Sequence, residues 1–240
     1  MILVTNDDGD SEGLRMLLEV AKKLDNAYAL VPNKQRSAVS GALTLHKPIR
    51  LEQIEDDIYS LNGTPADCVL FSIYSGEFKK PGMVLSGINW GDNTGLAALI
   101  GSGTLGACWQ AALEKTPSIA FSMYKKKRGW GEKAGWGDRK KIKSKVKKIT
   151  NELKPMLMPD KFFSVNFPEN PEDARIVFTN HLHRHRYLPH ITKREDPNGS
   201  PYFWMTGGPE STEKGSDYHE VTMKKNIAIT EISLTCFENG

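Results

Sequence analysis

The sequence predicts a doubly wound, three-layer α/β fold, and three observations carry that expectation. A short apolar run, "ILVT" at residues 2–5, ends in "NDDGD" and has the length and boundary of a buried strand. Leu14, Leu17, Leu18, Ala21 and Leu24 then recur at helical spacing, and "AYALVP" follows as a second apolar run. Strand, helix and strand within 32 residues make a βαβ unit. Such a unit implies a mostly parallel, Rossmann-like sheet with a right-handed crossover.

The remaining elements follow in order. "ALTLHKPIRLEQIEDDIYSLNG" reads as a β-hairpin or β-arm. "TPADCVLFSIY" opens as a helix, with Thr64 as N-cap, Pro65 in the first turn and Asp67 three residues past the cap. "GMVLSGIN" is strand-like, "TLGACWQAALEK" helical and "PSIAFSMY" strand-like again. This alternation predicts an α/β core over residues 1–180. Residues 181–240, rich in His, Pro and Gly, read as a β-rich C-terminal arm that completes the fold and makes oligomer contacts.

Composition excludes several function classes. A net charge of +3 over 240 residues does not by itself imply nucleic acid or an acidic membrane. Three cysteines, Cys68, Cys108 and Cys236, are odd in number, far apart and without metal-ligand spacing. They argue against a disulfide framework and for a reducing compartment. Met1 leads directly into a strand rather than a secretory leader, and no stretch reaches the length of a membrane span. A cytoplasmic protein is expected.

Four loops gather where such a fold binds ligands, beyond the carboxyl ends of the strands. "NDDG" places Asp7 and Asp8 side by side, and their repulsion calls for a cation, a helix N-terminus or plain solvent at an Asp-Gly turn. "PNKQRSAVSGALT" (32–44) is crowded with hydroxyls, and "SGINWGDNTG" (86–95) offers two asparagines among glycines. "GSGTLGACWQ" (101–110) runs from a hydroxyl-rich loop into a helix, so Ser102, Gly103 and Thr104 present backbone N–H groups suited to phosphate. N-capping by Ser102 or Thr104 is the plainer reading of the same residues. No lysine follows in a P-loop pattern, and no GxGxxG opens the first helix.

These motifs, "NDDG", "RSA-S-G-LT", "NGTPADCV", "SGIN-G-N" and "SGT-GA" in that order, closely resemble the SurE family of metal-dependent 5′-nucleotidases and acid phosphatases. The resemblance continues into the tail through "DPNGSPYFW" and "GSDYHEV…NIAIT". It implies one divalent cation per subunit, held by Asp7, Asp8, Ser37 and Asn89. Such an all-oxygen donor set suits Mg²⁺ or Mn²⁺ rather than zinc. It further implies hydrolysis of nucleoside monophosphates, with Asp7 and Asp8 catalytic and the phosphate held by Asn93, Ser102, Gly103 and Thr104. Whether Asp7 or Asp8 assists water or takes the phosphoryl group itself stays open. A homodimer or homotetramer built partly by the C-terminal arm is also implied, with neither a membrane nor a dedicated nucleic-acid partner.

The chain departs from the family pattern in three places. "NDDG--APG" becomes "NDDGDSEG", "RSG" becomes "RSA" at Ala38, and "GPN" becomes "GDN" at Asp92. Asp10 and Asp92 add negative charge, and Ala38 lacks glycine's freedom beside a proposed ligand. Two other classes of function compete with the enzyme: a non-catalytic nucleotide sensor, and an RNA-binding module using the lysine-rich stretch 139–148. In that stretch Ile142, Val146, Ile149 and Leu153 fall at helical spacing, which favours a docked helix with a solvated basic face. His181, His183 and His185 alternate as on one strand face and are read as a partly exposed arm before a transition-metal site. Trp130 and Trp136 are loop aromatics that either stack on a base or pack at the surface, and His46 and His219 are general-acid candidates only if folding brings them close.

Overall fold

The computed structural model describes residues 1–125, 135–184, 187–209 and 212–237. Its elements are β1 (Ile2–Thr5), α1 (Glu12–Ala21), β2 (Ala27–Pro32), β3 (Leu51–Glu55), β4 (Ile58–Leu61), α2 (Pro65–Tyr74), β5 (Met83–Trp90), α3 (Gly95–Gly101) and α4 (Gly103–Leu113). There follow β6 (Ser118–Met123), α5 (Arg139–Leu153), β7 (Lys161–Phe167), β8 (Ile176–Phe178), β9 (Tyr187–Glu195), β10 (Pro201–Pro209), α6 (Asp217–Thr222) and β11 (Ile227–Ser233). Nine strands form one sheet in the order β3-β4-β2-β1-β5-β6-β7-β11-β8. The run from β4 through β7 is parallel throughout, and only β3 and β11 meet a neighbour antiparallel. The three-layer, mostly parallel sheet expected from the βαβ unit is thus present.

Why the layers hold follows from the pattern of apolar residues. Alternate residues of β1 face opposite layers: Ile2 and Val4 join the cluster under α1 and α5, while Leu3 joins the one under α2 and α4. The apolar stripe Ile142, Val146, Ile149 and Leu153 of α5 is buried in the first cluster, as its spacing predicts. Four basic residues of α5 form ion pairs, so its cationic face is partly neutralised: Arg139 with Glu12, Lys141 with Glu172, Lys143 with Glu19 and Lys148 with Glu152.

Residues after 180 divide between two locations. β9 and β10 form a separate two-stranded antiparallel ribbon, whereas β11 returns to the central sheet between β7 and β8. Residues 181–184 lie outside any strand, so His181 and His183 do not share a strand face. His183 is 1% exposed and packs edge-on to Tyr218, while exposed His181 pairs with Glu213 at 3.2 Å. His185 and Trp130 fall outside the described residues. Among the described residues no cluster of three His, Cys, Asp or Glu side chains assembles, and no single helix is long and apolar enough to cross a membrane.

One cap ties this scaffold to the loops above it. Thr64 and Asp67 form a capping box at the start of α2, and Asp67 also accepts from the Thr44 N–H at 2.9 Å. Both Asp67 oxygens therefore serve backbone donors, one of them in the long segment 33–50. Asp67→Ala should lower unfolding stability by about 2 kcal/mol, the sum of a lost cap and a buried donor left unpaired. Asp67→Asn should rescue little, because an amide NH₂ would face an N–H; urea denaturation of the three proteins checks both expectations.

Candidate active site

The candidate site lies at the carboxyl ends of β1 and β5, adjacent parallel strands paired from Ile2–Met83 to Thr5–Ser86. Where β1 ends, Asp7 turns toward α4 and Asp8 toward the loop after β2. Asp7 is only 7% exposed. The Thr104 hydroxyl donates to its Oδ1 at 2.6 Å, and the Thr104 backbone N–H also faces the carboxylate. Asp8 accepts from Gln35 Nε2 at 3.1 Å, and the Trp90 backbone N–H faces it from the end of β5.

The close approach of α4 depends on a missing side chain. A Cβ at Gly103 would lie 2.8 Å from Asp7 Cβ and 3.1 Å from its Oδ2. One turn on, a Cβ at Gly106 would lie 2.1 Å from the Ser40 carbonyl oxygen. Glycine at both positions lets the first turn of α4 sit directly on the β1 loop and on the segment carrying Ser37. The helix itself begins abruptly: α3 and α4 meet at 66° about Ser102, whose hydroxyl caps α4 by accepting from the Leu105 N–H at 3.2 Å. Burial of Asp7 is thus a consequence of "SGT" as much as of "NDDG".

The remaining proposed ligands reach the same edge through their neighbours. The Arg36 N–H donates to the Asp7 carbonyl oxygen at 2.7 Å, which brings the turn with exposed Ser37 to the end of β1. Asn89 precedes Trp90 on β5, and its amide nitrogen donates to the Gly91 carbonyl oxygen at 2.8 Å. That bond leaves Asn89 Oδ1 as the end available to a cation. Two carboxylates, a hydroxyl and an amide oxygen form a hard-oxygen set, and it fits Mg²⁺ or Mn²⁺. Ala38 stands beside this set with φ 56°, a left-handed backbone that costs a side-chain-bearing residue about 1 kcal/mol.

Electrostatics point the same way. Burial, followed by the charge of Asp8, pushes the Asp7 carboxyl up from 3.8 to about 6 despite hydrogen bonds that act in the opposite direction. Burial also raises Asp8, opposed by the Trp90 N–H and Gln35. Asp10, by contrast, adds no bare charge: Arg15 binds it through two hydrogen bonds of 2.8 and 2.7 Å and also pairs with Glu55. Asp92 is buried and accepts from the Thr94 hydroxyl.

The residues assigned to phosphate are partly engaged with the protein. Ser102 caps α4, Thr104 serves Asp7, and Asn93 uses one amide hydrogen on Ser122 Oγ at 2.9 Å. Asn93 is held in place by Asn166, which accepts its backbone N–H at 2.7 Å. Its loop is fastened further by Asp217 of α6, which accepts from the Gly95 N–H at 2.6 Å and the His183 N–H at 2.9 Å. Among the described residues neither His46 nor His219 hydrogen-bonds to Asp7 or Asp8. His46 is exposed in the 33–50 segment, and His219 Nδ1 accepts from the Gly215 N–H. Trp136 is buried at 6% exposure, so it packs rather than waits for a base. The exposed aromatic at this edge is Trp90, which the sequence reading did not single out.

The raised Asp7 has a consequence for stability in the absence of metal. Between pH 3.8 and about 6 the folded state binds more protons than the unfolded one, so stability falls as pH rises through that window. The penalty is complete above pH 6 and amounts to up to about 3 kcal/mol. In EDTA, Asp7→Asn should therefore melt higher than wild type at pH 8, with the difference vanishing toward pH 4. Thermal denaturation across pH tests this; a variant equally or less stable at pH 8 contradicts it.

Comparison with known proteins shows the family. A family model described as survival protein SurE matches residues 2–187. The chain is 37% identical over 244 residues to the 5′-nucleotidase SurE of Hyperthermus butylicus, covering 97% of this chain and 84% of the relative. It is also 37% identical over 242 residues to the 5′-nucleotidase SurE of Thermofilum pendens, covering 98% and 90%. The fold superposes on the crystal structure of the SurE protein from Aquifex aeolicus with a TM-score of 0.78 at 28% identity, covering 99% of this chain and 95% of that one. A family-model match over residues 2–187, with relatives 37% identical over nearly the whole length, means that the chain belongs to the SurE family.

Proposed function

We propose that the protein is a divalent-metal-dependent phosphomonoester hydrolase acting on nucleoside 5′-monophosphates. The observation that carries this reading is the adjacent Asp7–Asp8 pair, one member buried with a raised pKa, at the strand edge beside a helix N-terminus. The relatives named 5′-nucleotidase support the substrate class.

In this reading Asp7, Asp8, Ser37 and Asn89 hold the cation, and two carboxylates balance its charge. A cation held there would supply Lewis-acid stabilisation to a phosphoryl oxygen and would acidify water. The chain's own part is positioning. Thr104 fixes the orientation of Asp7 through its hydroxyl, and Gln35 does the same for Asp8. Asn93, with one amide hydrogen left to donate, and the N–H groups at the start of α4 orient the remaining phosphoryl oxygens. Asp8, the less buried of the pair, is the better placed to take a proton from the attacking water.

The competing readings fare less well. An RNA-binding role for α5 loses its basis because the helix buries its apolar stripe and pairs Arg139, Lys141 and Lys143 with carboxylates. A nucleotide sensor, motivated by Ala38 and Asp92, is less favoured because all four proposed ligands are present and Asp92 is buried, accepting from the Thr94 hydroxyl. For assembly, the β9–β10 ribbon exposes Ile191, Phe203 and Met205 on one face and Tyr202 and Trp204 on the other. Such an apolar ribbon fits a homodimer or homotetramer contact.

Phosphate release from AMP, GMP, CMP and UMP with Mg²⁺, Mn²⁺ or EDTA tests the activity. Release should need the metal and fall by at least about a hundredfold in Asp8→Asn. Metal-independent release, or none from folded wild type with either cation, would overturn the reading.

A further inference from the structure

Trp90 occupies an unusual place on β5. The preceding strand residues, Met83 through Ile88, are buried, yet Trp90 is 38% exposed. It follows the proposed ligand Asn89, and its own N–H faces the Asp8 carboxylate. Its ring is nevertheless held. Trp136 meets it edge to face, with centroids 4.7 Å apart and planes at 74°. Lys125 Nζ stands 4.5 Å from the Trp90 ring centroid and 5.5 Å from that of Trp136. Lys125 is itself fixed by donating to the Gly135 carbonyl oxygen at 3.0 Å.

The support for this ring extends down to α1. A Cβ at Gly13 would lie 3.0 Å from two carbons of the Trp136 ring and 2.1 Å from the Ile88 carbonyl oxygen. Glycine there lets Trp136 wedge between α1 and the end of β5, which fixes the back of Trp90. The result is a preorganised, partly exposed indole with Lys125 Nζ over one face of its ring, next in the chain to the proposed ligand Asn89. Burial alone does not account for it, since an indole this exposed gains only part of its transfer energy.

We propose that Trp90 is a specificity-determining residue, the surface on which the nucleobase of the substrate stacks while the phosphate occupies the Asp7–Asp8 edge. This rests on the nucleotidase reading above and assigns the base a position. A planar base gains most on a ring that is already immobile, because little side-chain freedom is then lost on binding. The chemistry favours large π surfaces, so purine monophosphates should bind more tightly than pyrimidine ones. Trp136 and Lys125 act as positioning residues for the indole.

The test is equilibrium binding of AMP and CMP, each as its non-hydrolysable phosphonate, and of inorganic phosphate, in the presence of Mg²⁺, to wild type, Trp90→Ala and Trp90→Phe. Wild type should prefer AMP over both CMP and inorganic phosphate. The ratio of phosphate Kd to AMP Kd should fall by about tenfold or more in Trp90→Ala and recover largely in Trp90→Phe. Nucleotide should also quench tryptophan emission in wild type but much less in Trp90→Ala. An unchanged ratio in Trp90→Ala, or equal affinity of wild type for AMP and phosphate, overturns the proposal. Failure of the hydrolytic reading is seen separately, as absence of phosphate release, and does not alter these binding ratios.

Discussion

The site depends on one contact: the first turn of α4 pressed against the carboxylate of Asp7. It exists because Gly103 has no side chain, and it costs free energy because it removes a charge from water. Thr104 offsets part of that cost with a hydroxyl and a backbone N–H, but not all of it, as the upward shift of Asp7 records. A second carboxylate alongside adds to the cost rather than relieving it. A cation held there would offset that cost. The same contact aligns Gly106 under Ser40 and so holds the segment carrying Ser37, which lets one close approach organise two of the four loops.

Around that contact, the departures from the family pattern are absorbed by local structure. Asp10 lies in a bidentate pair with Arg15, which also reaches Glu55 and so anchors the β1–α1 loop to the edge of the sheet. Asp92 satisfies the Thr94 hydroxyl at the turn into α3. Ala38 keeps the left-handed backbone that glycine would adopt freely, so a strained residue sits beside the cup. Asp217 stitches the same turn to α6, and the segment after residue 180 is thereby coupled to the site as well as to the sheet.

Much of this was legible in the residues because it is local. The 3.6-residue spacing of Leu14 to Leu24 marked α1, Thr64 and Asp67 marked the start of α2, and the stripe from Ile142 to Leu153 marked the buried face of α5. What escaped is non-local. α3 was hidden because "GLAALIG" lies between glycine-rich turns and is too short to show a period. The return of β11 to the central sheet depends on an antiparallel pairing with β7, which no spacing along the chain reveals. The Ser102 cap was legible in "SGT", whereas the bond from the Thr104 hydroxyl to Asp7 joins residues far apart in the chain and no local spacing announces it. Trp90 gave no signal because its exposure arises where β5 extends past the end of β1, still paired with β6, while Trp136, the more conspicuous loop aromatic, is its buried support.

The central claim is that the adjacent Asp7–Asp8 pair, of which Asp7 is buried, holds a cation. Titration of the metal-free protein with Mn²⁺, followed by the electron paramagnetic signal of the free ion, tests it without reference to catalysis. One ion should bind per chain in wild type, with binding weakened at least about tenfold in both Asp8→Asn and Asn89→Ala. Absence of stoichiometric binding to folded wild type, or binding unaffected by either substitution, would contradict the account.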